Sequence, residues 1–212
     1  MLKIQMLPLG PLRTNCYLAA CSETSEVAVI DPAWDGDVIL SAAEEQGWRV
    51  ARILLTHTHF DHVGGLVALR AATGAPVAAH ARAVSMLMAA EASAARWGLQ
   101  VKQPSLPDEL IEPNQIISVG NVSLEVLDTP GHAPGHVSFY AADYGVLFDG
   151  DVLFQGSIGR IDLPGGDYET LMDTIRRRLL VLPDETRVLS GHGNPTTIGE
   201  ERRTNPFLQE DI

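Results

Sequence analysis

The chain has 212 residues, 45% hydrophobic and 20% charged, with a formal charge of -12. That acidic balance argues against general nucleic-acid binding, which needs a basic face to neutralise phosphates. No run approaches the ~20 apolar residues of a membrane span, and the opening Met1-Leu2-Lys3-Ile4-Gln5-Met6-Leu7 is too short an apolar run for a signal peptide.

A first strand is expected over residues 2 to 8, and Leu9-Gly10-Pro11 marks a turn. Two more strands follow, Asn15 to Ala20 and Val27 to Ile30, joined by the polar turn Ser22-Glu23-Thr24-Ser25. The two cysteines, Cys16 and Cys21, lie in this strand-like apolar sequence. They read as small buried hydrophobes, and two thiols without a disulfide framework suit a reducing, cytoplasmic setting. Asp35 is placed to cap a helix running through Gln46, with Gly47 closing it. Val50 to Leu55 is the next strand; a helix from about His62 to Ala72 ends near Gly74, and Pro76 to Ala79 is a short strand. Ala81 to Trp97 has helical spacing and more apolar residues than a core stripe requires. It is expected either as an ordinary buried helix or as the wall or lid of a substrate groove. Gln103 to Asn114, with three prolines, reads as a loop.

Two hairpins follow. One joins Ile116–Ser118 to Val122–Leu127 around Gly120-Asn121, and the other joins Val137–Tyr140 to Val146–Phe148 at Asp143-Tyr144-Gly145. Asp167 is placed to cap a helix from Tyr168 to Leu182. Its run Arg176-Arg177-Arg178 reads as a solvated face near the helix C-terminus, where cations are favoured. Arg187 to Leu189 is a last strand and Ile198 to Thr204 a last helix. Strand-rich and helical blocks thus alternate twice, which suits a single domain over residues 1–212 with two sheets inside and helices outside.

Thr56-His57-Thr58-His59-Phe60-Asp61-His62 places three imidazoles and one carboxylate in a strand-to-helix turn, the usual donors for first-row metals. Phe60 reads as a spacer whose side chain belongs to the core. Three later strands end in similar polar, glycine-flanked turns carrying His132, Asp151 and His192. Seven candidate ligands exceed the three protein ligands of one open catalytic zinc. They divide between two metals sharing one carboxylate. His80, at a strand end before a helix, reads as a structural or surface residue. His136, which opens a strand, is expected either to support the site from behind the ligands or to be structural. Asp31 and Asp128, also at strand ends, either orient imidazoles or cap turns.

Thr-His-x-His-x-Asp-His at 56–62, Thr-Pro-Gly-His at 129–132, Gly-Asp at 150–151 and Gly-His-Gly at 191–193 resemble the metallo-β-lactamase superfamily. Further segments resemble its short glyoxalase II-like hydrolases: Asn15-Cys16-Tyr17, Ile30-Asp31-Pro32, the stretch from Gly159 to Asp167, and Thr204-Asn205-Pro206-Phe207-Leu208. The resemblance implies an α/β fold, a four-layer αββα sandwich of two mixed sheets flanked by helices. It implies that His57, His59 and His132 bind one metal, that Asp61, His62 and His192 bind a second, and that Asp151 bridges. Two divalent ions are expected, zinc first, with iron or manganese fitting the same donors.

The implied activity is hydrolysis of a small-molecule thioester, S-2-hydroxyacylglutathione, by a hydroxide bridging the metals. Asp61 and Asp151 are the catalytic carboxylates, and Arg160 is a candidate contact for an anionic substrate. About twenty residues follow His192, so the helical C-terminal domain of long glyoxalase II is not expected here. The competing activities are a persulfide dioxygenase using a single iron and a lactonase. A non-enzymatic metal-binding module is the rival outside catalysis. Nothing in the pattern points to an oligomeric state.

Overall fold

The computed structural model describes residues 1–209. Its strands are β1 (Leu2–Leu9), β2 (Thr14–Cys21), β3 (Glu26–Ile30), β4 (Arg49–Leu54), β5 (Val77–His80), β6 (Glu109–Ile111), β7 (Ile116–Val119), β8 (Val122–Asp128), β9 (Val137–Ala141), β10 (Val146–Gly150), β11 (Leu153–Phe154), β12 (Ser157–Ile158), β13 (Arg187–Ser190) and β14 (Thr196–Thr197). The helices are α1 (Gly36–Glu45), α2 (Phe60–Val63), α3 (Leu66–Thr73), α4 (Val84–Leu87), α5 (Ala90–Arg96), α6 (Tyr168–Thr174) and α7 (Ile198–Thr204). Among the described residues, no helix is long and apolar enough to cross a membrane.

Two six-stranded mixed sheets form, in the orders β1-β2-β3-β4-β5-β6 and β14-β13-β10-β9-β8-β7. β2 shows why they stack with helices outside. Successive side chains of a strand point to opposite faces, and every residue of β2 is buried. Tyr17, Ala19 and Cys21 enter the core between the sheets with Phe139, Phe148 and Leu124. Cys16, Leu18 and Ala20 enter an outer core with Ile39 of α1 and Leu66 and Leu69 of α3. On the far side, Leu147 and Val188 pack against Leu171 of α6 and Ile198 of α7. The layers are therefore α, β, β, α, as expected. Full burial of a large apolar side chain such as Phe139 contributes about 1.5–3 kcal/mol. Both cysteines are free and buried, as their surroundings suggest.

Strand direction carries the site. β10 runs parallel to β13, and β9 is antiparallel to both β10 and β8. So β8, β10 and β13 end at the same edge of their sheet, and their following turns hold His132, Asp151 and His192. A bulge in β10 sets two residues, Asp149 and Gly150, after the Phe148–Leu189 pair against Ser190 alone. Bulges re-aim the side chains that follow them, and here the next residue is Asp151.

Several expected elements differ. The helix expected from His62 is two pieces, because Gly64 and Gly65 lie against the chain at Pro32–Trp34. The Gly65 N–H donates to the Pro32 carbonyl at 2.9 Å, and a Cβ on Gly64 would meet the Ala33 oxygen at 2.5 Å. Gly64→Ala is expected to cost about 1–3 kcal/mol through overpacking, checked by denaturant unfolding. The helix expected over Ala81–Trp97 is broken between α4 and α5, where the Gln103 side chain donates to the Leu87 carbonyl at 3.0 Å and accepts from the Glu91 N–H at 3.4 Å. A long-range side chain thus satisfies backbone groups that a continuous helix would satisfy itself.

The proline-rich segment 103–114 is not all loop, because Glu109–Ile111 pairs with β5 as β6. The helix from Tyr168 changes to a π-helical turn over Ile175–Leu179 and ends there, short of the expected Leu182. Its three arginines are exposed, and Arg177 pairs with Asp173 at 2.6 Å. Asp167 caps α6 by accepting from the Thr170 N–H at 2.8 Å. Asp35 stands at the start of α1 but makes no side-chain cap; its residue takes a left-handed conformation, and its carbonyl accepts from Val38 and Ile39 instead.

Candidate metal centre

All seven candidate ligands come together at the shared edge of the two sheets. His57 Nε2 and His132 Nε2 face His59 Nδ1 at 3.1 and 2.9 Å. On the other side, His62 Nε2 and His192 Nε2 lie 3.7 and 3.2 Å from Asp61 Oδ2. Asp151 stands between these groups. Its Oδ1 is 3.4 Å from His62 Nε2, while its Oδ2 is 3.7 Å from His132 Nε2 and 3.6 Å from His192 Nε2. The donor atoms of each three-residue set lie within 4.8 Å of one another.

The surrounding groups decide which ring nitrogens carry protons. Asp31 accepts from the Thr56 N–H at 2.8 Å, from the Thr56 hydroxyl at 2.6 Å and from His62 Nδ1 at 2.9 Å. The Thr56 hydroxyl, having donated to Asp31, accepts from His57 Nδ1 at 3.0 Å. His132 Nδ1 donates to the Arg160 carbonyl at 2.8 Å. Carboxylate and carbonyl oxygens only accept, so in the neutral ring each of these imidazoles turns a bare Nε2 into the centre. Two such lone pairs converge on His59 Nδ1, whose single proton they would have to share. Among the described residues, His62 Nε2 and Asp151 Oδ1 are buried without a hydrogen-bond partner.

Those orphaned atoms test whether metals fit, and they do. Imidazole nitrogen and carboxylate oxygen are the donors that zinc, iron and manganese accept. Gly191 keeps the space open, since a Cβ there would meet Asp151 Oδ1 at 2.2 Å and His62 Cε1 at 2.6 Å. The electrostatics agree. Burial pulls the His62 imidazole down, but Asp151 and Asp61 together raise it well above its ordinary value. Burial alone would raise the Asp61 carboxyl, yet the His62 charge and a hydrogen bond from His192 hold it at about 2. Burial opposes ionisation of Asp151 too, and His62 overrides it, leaving the carboxyl far below the usual range. His57, His59 and His132 are held neutral, chiefly by burial. The centre thus sets the ionised Asp61 and Asp151 close to the neutral imidazoles of His57, His59 and His132, which is a cation's environment.

Residues whose role was open or unassigned in the sequence hold this geometry. Asp31 orients His62, and through Thr56 it also orients His57. Asp128 does neither, pairing instead with Arg82 at 2.9 Å. Thr14 donates its hydroxyl to Asp61 Oδ2 at 2.8 Å. Asn15 donates its amide to the Ser190 and Gly193 carbonyls at 2.9 and 3.0 Å, and the Tyr17 hydroxyl donates to Ser190 at 2.6 Å. The start of β2 thereby ties the first sheet to the turn that carries His192. His80 is structural, accepting from the Arg82 N–H at 3.1 Å.

His136 supports the centre from behind. Its Nε2 accepts from the Asp151 N–H at 3.1 Å, its Nδ1 bonds the Thr129 hydroxyl at 2.8 Å, and its ring stacks on His57 at 4.9 Å. His136→Phe keeps an aromatic ring but leaves the Asp151 N–H unpaired. It is expected to weaken metal binding about 10–100-fold, measured by competition with a chelator.

The centre opens into a cleft of about 850 Å³. One wall is the α4–α5 segment, with Met86, Ala89, Ser93 and Trp97; the other includes Phe154, Ile158 and Leu163. The Ala81–Trp97 segment therefore lines a groove, the second of its two expected roles. Phe60 is only 7% exposed and packs in the outer core, yet it also borders the cleft, so it is more than a spacer. Arg160 is at the rim, 5.8 Å above the Trp97 ring, with both oxygens of Asp162 bound at 2.7 and 2.8 Å.

Comparison with known proteins gives the same reading. Residues 9–192 match the model of the metallo-beta-lactamase superfamily. The chain is 38% identical to the hydroxyacylglutathione hydrolase GloC of Haemophilus influenzae over 98% of each chain. Among solved structures, it resembles TTHA1623 in a di-iron-bound form, with 43% identity and a TM-score of 0.90 over 96% of this chain and 100% of the other. It also resembles the BLEG-1 B3 metallo-beta-lactamase, with 39% identity and a TM-score of 0.92 over 98% and 100% of the two chains. The chain belongs to the metallo-β-lactamase superfamily and is a metal-dependent hydrolase of that family.

Proposed function

We propose that this chain is a thioester hydrolase of the glyoxalase II type with a two-metal centre, acting on S-2-hydroxyacylglutathione. The observation that carries the two-metal reading is the placement of Asp151 between two three-residue donor sets at the floor of an apolar cleft. His57, His59 and His132 would hold one ion, Asp61, His62 and His192 the other, and Asp151 both. The likeness to GloC supports the substrate class. The likeness to the di-iron form of TTHA1623 supports iron beside zinc and manganese as the occupant.

Bound divalent ions supply Lewis acidity, which acidifies water and polarises a carbonyl oxygen. The chain's own residues do the rest. Asp61, fixed by Thr14 and held ionised, orients the attacking water as a hydrogen-bond acceptor. The cleft walls hold the thioester carbonyl over the centre and exclude bulk water, and a thiolate departs without a strong general acid. The reading extends to a soluble, cytoplasmic enzyme that takes a small molecule.

Hydrolysis of S-lactoylglutathione by metal-loaded protein tests this directly. Rates no better than for unrelated thioesters would remove the glutathione assignment. The likeness to BLEG-1 makes a chromogenic β-lactam the control substrate, and faster turnover of it would overturn the thioester reading. Oxygen uptake with glutathione persulfide would show the single-iron dioxygenase instead, and faster opening of a lactone would show a lactonase.

A further inference from the structure

Among the described residues, two arginines line the cleft, Arg96 and Arg160, and they are not equivalent. The Arg160 charge is already answered by the bidentate contact with Asp162. Arg96 makes no ion pair among the described residues. It follows Met86, Ala89 and Ser93 at three- to four-residue spacing along the cleft wall, with the small side chains of Ala89 and Ser93 among its neighbours there. The two carboxylates that line the cleft, Asp61 and Asp151, both face imidazoles in the metal centre. In a chain of net charge -12, the cleft wall thus presents, among the described residues, one uncompensated positive group.

We propose that Arg96 is an anion-reading subsite that binds a carboxylate on the thiol portion of the substrate. This rests on the thioester reading above. A 2-hydroxyacyl group carries no charge, so the anion that Arg96 meets belongs to the thiol carrier. A guanidinium presents a planar fork matched to a carboxylate, and charge-assisted contacts of this kind are stronger than neutral ones. Arg160, neutralised by Asp162 and laid over Trp97, forms the facing wall rather than a second charge.

The test is calorimetric titration of metal-loaded protein with S-methylglutathione and with its dimethyl ester, in which the carboxylates are masked. The wild type is expected to prefer the acid about tenfold, the scale of one charge-assisted contact. In Arg96→Met that ratio falls to about one, while Lys102→Met, which removes the same charge outside the cleft, keeps it. An unchanged ratio in Arg96→Met overturns the subsite, as does a wild type without preference or one that binds neither ligand. A wild type that prefers the acid through Arg96 but does not hydrolyse S-lactoylglutathione keeps the subsite and overturns the thioester reading.

Discussion

Asp151→Asn is expected to lower kcat/KM on the order of 10³-fold or more, because the Lewis acidity it would remove is worth several kcal/mol at the transition state. The substitution changes almost no volume. It replaces the one carboxylate that reaches both donor sets, 3.4 Å from His62 Nε2 and 3.7 Å from His132 Nε2. An amide supplies no net charge, and its NH2 would face an imidazole lone pair. The backbone N–H of residue 151 still has His136 as acceptor, so the fold is expected to survive. Metal analysis should show fewer than two ions per chain in a protein with wild-type circular dichroism. Two retained ions with activity within tenfold of wild type would remove Asp151 from its bridging place.

Asp31→Ala is expected to produce the largest loss of stability, about 3–5 kcal/mol, because one buried carboxylate answers three donors. Thr56 N–H, the Thr56 hydroxyl and His62 Nδ1 would all lose their acceptor at once. Residue 31 also has φ 51°. Aspartate and asparagine tolerate that left-handed conformation better than alanine does. Asp31→Asn separates the effects: it keeps the conformation and one acceptor oxygen, and should cost about 1–2 kcal/mol. Both variants should weaken metal binding about 10–100-fold, since imidazoles lose their orientation. Denaturant unfolding and chelator competition measure the two quantities separately. Equal stability of Asp31→Ala and wild type would show that Asp31 does not hold the centre together.

The local part of the site was legible because its chemistry is contained in six residues. His57, His59, Asp61 and His62 need only a strand-to-helix turn to converge. Strand ends marked by glycine, at Gly131, Gly150 and Gly191, flagged His132, Asp151 and His192. The layers were legible too, since strands buried on both faces with helices between them have few stable arrangements.

The misread elements share one cause: their stability comes from neighbours. β6, β12 and β14 are three residues or fewer, too short for a pattern of their own, and exist through pairing with β5, β11 and β13. The break between α4 and α5 depends on Gln103, and the break at Gly64 on the chain around Ala33. Local propensity cannot register either contact.

The sequence by itself determined the donor types and the strand-end turns that carry them, because these follow from residue identity and short-range pattern. Only the tertiary structure decided which nitrogens face inward, since that depends on Asp31, Thr56 and the Arg160 carbonyl meeting rings far away in the chain. It alone also placed Arg96 on the cleft wall without an ion pair among the described residues. Protonation and charge balance are properties of what surrounds a group, and surroundings are assembled only when the chain folds.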